Sequence, residues 1–199
     1  MNITIEPKAG RQSILSIFLN GREWKTVHSA IFGRHPSFPF YSTEREWEQA
    51  FCSMEYQKVK NYVLKRLSAQ HYHSQQLRKL LIERLVDAAT IDRVIGECQT
   101  KGFLNDEQWL ESFICAHRKR LGWPVILKKL HSKGLSIEEI RVIQNRSRNP
   151  EEERQTIQQL LETRYRSKNL AQFHDRRKVI ASLMRKGFSY ESILAALEK

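Results

Sequence analysis

Leu130-His131-Ser132-Lys133-Gly134-Leu135-Ser136-Ile137-Glu138-Glu139-Ile140 recurs 53 residues later as Leu183-Met184-Arg185-Lys186-Gly187-Phe188-Ser189-Tyr190-Glu191-Ser192-Ile193. Both copies read as one physical sentence. An apolar helix ends on a basic residue. Glycine then takes the left-handed position beyond the helix end, an apolar residue folds back over that end, and serine caps a new helix whose first buried residue is isoleucine. A weaker copy lies 49 residues upstream of the first, with Leu81, Arg84, Val86, Asp87 and Ile91 at the same places and Leu85 where glycine would stand. Each copy has a longer helix in front of it. The spacing therefore predicts three tandem three-helix units near residues 59–100, 105–146 and 150–198. A unit of about 45 residues buries too little by itself, so neighbours must share a core. The expected fold is mainly α, an elongated curved array of these repeats.

Outward from the repeats, further helix starts are legible. Thr43 with Glu46 and Ser136 with Glu139 form capping boxes; Asn105 with Gln108 and Asn149-Pro150-Glu151-Glu152 are other N-termini. Trp47, Phe51, Met54, Val59, Tyr62 and Leu67 make one apolar stripe. The first 42 residues differ: Ser13–Leu19 and Arg22–Val27 are β-rich and flank Asn20-Gly21, a type I′ turn. They predict a small N-terminal antiparallel β-hairpin, with Ile3–Ile5 as a candidate edge strand closed by Pro7. Gly33–Tyr41, holding Pro36 and Pro39, reads as a linker. The expected division is 1–42 hairpin and linker, 43–104 first repeat with a preceding helix, 105–149 second repeat, and 150–199 third repeat.

The chain has 199 residues, 40% hydrophobic and 28% charged, with a formal net charge of +12. That excess favours a polyanionic partner. Nothing approaches 18 consecutive apolar residues, which excludes a bilayer span, and no signal peptide is legible. Cys52, Cys98 and Cys115 are widely spaced, which predicts buried, reduced thiols in a cytoplasmic protein. His71 and His73 lack a third ligand at helical spacing, so no metal or other cofactor is expected. There is no phosphate-binding glycine loop and no carboxylate cluster of the kind a nuclease needs. The expectation is not an enzyme.

Residues 107–150 carry net +5, the highest of any section. Arg118-Lys119-Arg120 close one helix and Lys128-Lys129 lie on the next; Arg78-Lys79 and Arg176-Arg177-Lys178 occupy related places in the outer repeats. Ile126, Leu127 and Leu130 fix the buried face beside Lys128 and Lys129, so those lysines must point outward. Arginine's planar fork grips phosphate or carboxylate, giving Arg118, Arg120 and Arg177 the most weight. Arg84, Lys133 and Lys186 sit at helix C-termini, where the dipole alone favours a cation. They are read as structural. Trp109, Trp123, Tyr165 and Phe173 are of the type that stacks bases. Register places both tryptophans in the core, whereas Tyr165, flanked by Arg164 and Arg166, joins the candidate interface. His117 reads as a satisfied, half-buried histidine.

Lys101-Gly102-Phe103-Leu104-Asn105-Asp106, Trp109, Phe113, Gly122-Trp123-Pro124, Ile126, Leu130, Lys133-Gly134 and Ile140 resemble the central motif of the RecX family. Tyr62–Ser68 with Leu77 and Leu81 resembles that family's first repeat, and Lys186-Gly187-Phe188 its closing one. The resemblance spans roughly residues 55–199. It implies a regulatory protein that binds the RecA recombinase filament on single-stranded DNA and restrains filament extension, ATPase, strand exchange and co-protease activity, hence recombination, repair and the SOS response. The implied partners are RecA and single-stranded DNA, with double-stranded DNA a further candidate, no membrane, and a monomeric chain. The competing expectation is a general single-stranded nucleic-acid-binding helical module without a RecA partner.

Overall fold

The computed structural model describes residues 1–147 and 149–198, and of Gln144, Arg146, Ser147 and Pro150 the backbone alone. The chain divides into two compact units, Met1–Asp106 and Glu107–Lys199.

The first unit opens with strands β1 (Ile3–Lys8), β2 (Arg11–Leu19) and β3 (Arg22–His28) in an antiparallel meander of order β1-β2-β3. Asn20 and Gly21 both have positive φ, 49° and 81°, as the type I′ turn demands. The candidate edge strand at Ile3–Ile5 is present as β1 and makes the sheet three-stranded. β1 pairs on one side only, and as an edge strand it absorbs Pro7 through a register shift between Pro7 and Lys8. Leu15, Ile17 and Leu19 point inward at alternate positions and are buried. They are covered by α2 (Glu44–Ala69), which follows a short turn of helix, α1 (Ser29–Phe32).

Helix α2 is a single rod of 26 residues, merging what the sequence reading divided into a preceding helix and the first repeat's lead helix. The Thr43–Glu46 capping box starts it, with both reciprocal bonds at 3.2 Å. Its buried face is Trp47, Phe51, Glu55, Val59 and Val63, a strict i, i+4 row. Glu55 thus replaces Met54 in the predicted stripe, and Val63 replaces Tyr62. Glu55 is only 2% exposed and accepts hydrogen bonds from Lys25 Nζ at 3.1 and 3.2 Å. Burial pushes its carboxyl up, and the Lys25 ammonium pulls against that shift.

Helices α3 (Ser74–Glu83) and α4 (Ala88–Thr100) complete the unit. His73 caps α3, accepting from Gln75 N at 3.2 Å. Glu97 on α4 accepts from Lys60 of α2 at 2.7 Å and from Lys101 at 2.6 Å, and also from the Tyr56 hydroxyl. Lys101 first, then Lys60 and Tyr56, hold its carboxyl down at about 2. A depressed carboxylate stabilises the fold fully above its ordinary value of 4.5, and that contribution is lost as pH falls toward about 2. Glu97→Gln is therefore expected to flatten the fall in urea-unfolding free energy across that acid window, with helical content unchanged at neutral pH.

The second unit holds α5 (Asp106–Arg118) apart from its first residue, then α6 (Trp123–Ser132), α7 (Ile137–Ser147), α8 (Pro150–Thr163), α9 (Phe173–Arg185) and α10 (Tyr190–Leu197). With α2–α4 these make three tandem three-helix repeats. One core gathers Ile126, Leu130 and Ile140; another gathers Ile157, Val179, Leu183 and Ile193.

The repeated turn has the predicted geometry. Gly134 and Gly187 have φ of 101° and 89°, and the next residue's N–H reaches back five residues, from Leu135 to Leu130 O and from Phe188 to Leu183 O. Leu85 adopts the same left-handed turn without glycine, at φ 59°, with Val86 N–H bonded to Leu81 O at 3.1 Å. Shape, rather than residue identity, repeats. A β-branched side chain resists this angle, so Gly134→Val is expected to lower unfolding free energy by about 2 kcal/mol in urea titration.

Candidate nucleic-acid and protein interface

After α5, Arg120 and Leu121 both donate to His117 O at 3.0 Å, turning the chain into Gly122, the N-cap of α6. Gly122 N–H then donates to Lys186 O at 2.9 Å. The corner between α5 and α6 is thereby seated on the turn between α9 and α10. Contact is so close that a Cβ on Gly122 would lie 2.1 Å from Gly187 O. Arg120, two residues before Gly122, is carried to the end of α9, where Lys186 is the C-cap.

A third cation arrives from α8. Arg164 is its C-cap, with its N–H on Leu160 O at 2.9 Å. Tyr165 follows, is 9% exposed, and shares a hydrogen bond of 2.7 Å with the Ser182 hydroxyl on α9. That bond holds the end of α8 beside the last turn of α9. The Lys186 ammonium is consequently pushed below the usual lysine range, first by burial, then by Arg164 and Arg120. Among the described residues, no carboxylate pairs with any of the three. Three helix C-termini help to retain this positive charge. The cluster is chemically suited to a phosphate or carboxylate, whose oxygens would accept charge-assisted hydrogen bonds.

The other sequence-predicted residues have different surroundings. Arg118 forms an ion pair with Glu152, joining α5 to α8, and lies 5.9 Å from the Trp123 ring. It serves the packing of two repeats. Lys119 is exposed beside it, and Lys128 and Lys129 are exposed on α6. Arg166 is exposed near Arg164 in sequence. Tyr165 belongs to the core of the third repeat, because its ring is enclosed and its hydroxyl satisfied; this corrects its placement as a stacking residue. Arg176, Arg177 and Lys178 lie in the first half of α9, eight to ten residues before Lys186, about 12–15 Å along the axis. They stand apart from the three-cation cluster. Arg78 and Lys79 lie on α3 in the first unit, where Arg78 is paired with Asp92 at 2.6 Å and Lys79 is exposed.

Lys186 is the residue that sequence reasoning set aside. Its helix-end position explained a cation locally, and nothing nearby in sequence announced Arg120 or Arg164. His117 is half-buried and satisfied, its Nδ1 2.9 Å from Phe113 O and its ring stacked on Phe113. Trp109 stacks on Phe113 against the second repeat's core, and Trp123 is buried in it. Cys98 is buried, and burial pushes its thiol up, but Cys52 and Cys115 are exposed, contrary to the expectation for all three. Among the described residues no group of three or more His, Cys, Asp or Glu is placed to hold a metal ion. No described helix is long and apolar enough to cross a membrane.

Residues 151–197, the whole of α9 and α10 and nearly all of α8, match the family model described as RecX, third three-helix domain. The third repeat is thus similar to a RecX domain. The fold agrees over a greater length. A crystal structure of regulatory protein RecX superposes with a TM-score of 0.60 at 20% identity, covering 99% of this chain and 98% of that one. A RecX crystal structure from Lactobacillus salivarius superposes with a TM-score of 0.56 at 22% identity, covering 72% of this chain and 94% of that one. No curated protein sequence matches the chain. The stretch so matched contributes Arg164 and Lys186, two of the three clustered cations, and Arg120 is delivered to it by the repeat in front.

Proposed function

We propose that the chain regulates RecA, binding its filament on single-stranded DNA and restraining extension, ATP turnover, strand exchange and co-protease activity, and through them recombination, repair and the SOS response. The observation that carries this reading is the Arg120, Arg164 and Lys186 cluster, three cations without a described carboxylate partner in a RecX-type repeat. RecA on DNA is a repeating polymer that presents phosphates and carboxylates. A chain of repeats meets it with several weak contacts at once, so that occupancy exceeds what any one contact allows. Chemistry on the substrate is not needed; the chain acts by occupying surface, in the cytoplasm, without a cofactor.

The test adds substoichiometric protein to RecA on single-stranded DNA and follows ATP hydrolysis. A fall in steady-state turnover supports the reading. A plain nucleic-acid-binding module would instead bind bare strands with a salt slope near −0.7 per neutralised phosphate, roughly that of single strands generally, and would leave RecA turnover unchanged. Unchanged turnover across salt conditions overturns the RecA assignment. Parallel titrations with duplex DNA establish whether it is a second ligand.

A further inference from the structure

Helices α9 and α10 enclose a groove of about 440 Å³ on the third repeat, lined by Phe173, Arg176, Arg177, Ile180, Tyr190 and Leu194. Phe173 is 78% exposed and Tyr190 52%. The core of the repeat is already filled by Val179, Leu183 and Ile193, so these rings are surplus to the fold. Two features define what the groove accepts. Among the described residues its charged lining is Arg176 and Arg177 alone, and their acidic neighbour Asp175 faces elsewhere, accepting from Asn169 N–H at 3.2 Å. Its aliphatic residues, Ile180 and Leu194, offer no hydrogen bond. A nucleobase pressed against them would lose water from its polar edges without replacement, a cost that an apolar side chain does not incur. Aromatic rings and arginines around an apolar pocket are the residue types that dominate protein–protein affinity.

Resting on the reading of RecA as target, we propose that the α9–α10 groove receives an acidic segment of that protein with an apolar anchor side chain. Phe173 and Tyr190 close on the anchor, and Arg176 and Arg177 take the flanking carboxylates in forked hydrogen bonds. The groove thereby separates a protein contact from the phosphate-suited cluster at the far end of α9.

The experiment measures Phe173→Ala/Tyr190→Ala against wild type in two titrations, one with RecA free of DNA and one with a labelled oligo-dT strand. RecA affinity is expected to fall at least tenfold while oligo-dT affinity stays within twofold. p-Benzoylphenylalanine in place of Phe173 is expected to cross-link RecA, rather than the strand, on assembled filaments. Loss of oligo-dT affinity with RecA affinity retained, or cross-linking to the strand, overturns the proposal in favour of base stacking. Unchanged RecA affinity overturns it outright. Should wild type bind oligo-dT but not RecA, the regulator reading falls and the named occupant with it. Circular dichroism checks the double variant; if its helicity drops, the single Phe173→Ala, at a side chain largely in solvent, gives the same decision.

Discussion

Gly122→Ala is expected to destabilise the second unit by about 3 kcal/mol, the upper end for an overpacking substitution. The added methyl would meet Gly187 O at 2.1 Å, Gly187 C at 2.4 Å and Phe188 N at 2.8 Å. All three are backbone atoms, so no rotamer change relieves the clash. The opposing segment has little freedom to withdraw, because Gly187 is itself held at φ 89° with Val125 against its open face. Separation would also break the Gly122–Lys186 hydrogen bond. Hydrogen exchange is the measurement of choice: amides of α6, α9 and α10 are expected to lose protection while those of the sheet and α2 keep theirs. Gly96→Ala is the control. Gly96 lies within α4 with nothing within 4 Å of its Cβ position, and the same substitution there is expected to stabilise by up to about 1 kcal/mol through helix propensity. A loss at both sites would show that the close approach at Gly122 is not what matters.

That contrast marks where sequence reading succeeds. The Lys-Gly-apolar-Ser turns, the Thr43 and Ser136 capping boxes and the Asn20-Gly21 reversal are local devices, each complete within six residues, and the structure contains all of them. Leu85 shows that even an irregular copy was recognisable, since the hydrogen bonds and not the glycine define the turn. What escaped was whatever depends on residues distant in the chain. Glu55 has the right spacing for a core position, four residues from Phe51 and from Val59, but its charge hides it until Lys25 arrives from the sheet. Pro7 reads as the end of an edge strand, yet β1 runs on to Lys8 through a register shift that only the pairing with β2 reveals. The cation runs were legible as runs. Their sorting was not: Arg118 turned inward to Glu152, Arg78 to Asp92, and the cluster drew Arg120, Arg164 and Lys186 from three separate helix ends.

Arg120→Glu with Arg164→Glu follows from that sorting and carries the largest expected effect on binding. Each wild-type guanidinium can donate charge-assisted hydrogen bonds worth about 1.5–3 kcal/mol to an anion. Removing two at the lower figure, about 3 kcal/mol, weakens single-stranded DNA binding roughly a hundredfold. The slope of log affinity against log salt should shrink by about 1.4, twice the single-strand increment per phosphate. Inhibition of RecA turnover should disappear with it. Folding is expected to survive, because the substitutions remove the two charges that press on Lys186, and the ammonium should titrate closer to its ordinary range, a shift readable by NMR at Nζ. Arg118→Glu with Lys128→Glu, which sequence alone nominates as a binding-specific pair, should behave differently. Arg118→Glu sets a second carboxylate against Glu152 and loosens α5 from α8, so its loss of binding arrives together with a loss of thermal stability. A stable Arg120→Glu/Arg164→Glu protein that still binds DNA with an unchanged salt slope would remove the cluster from the interface, and an unstable one would make these cations structural.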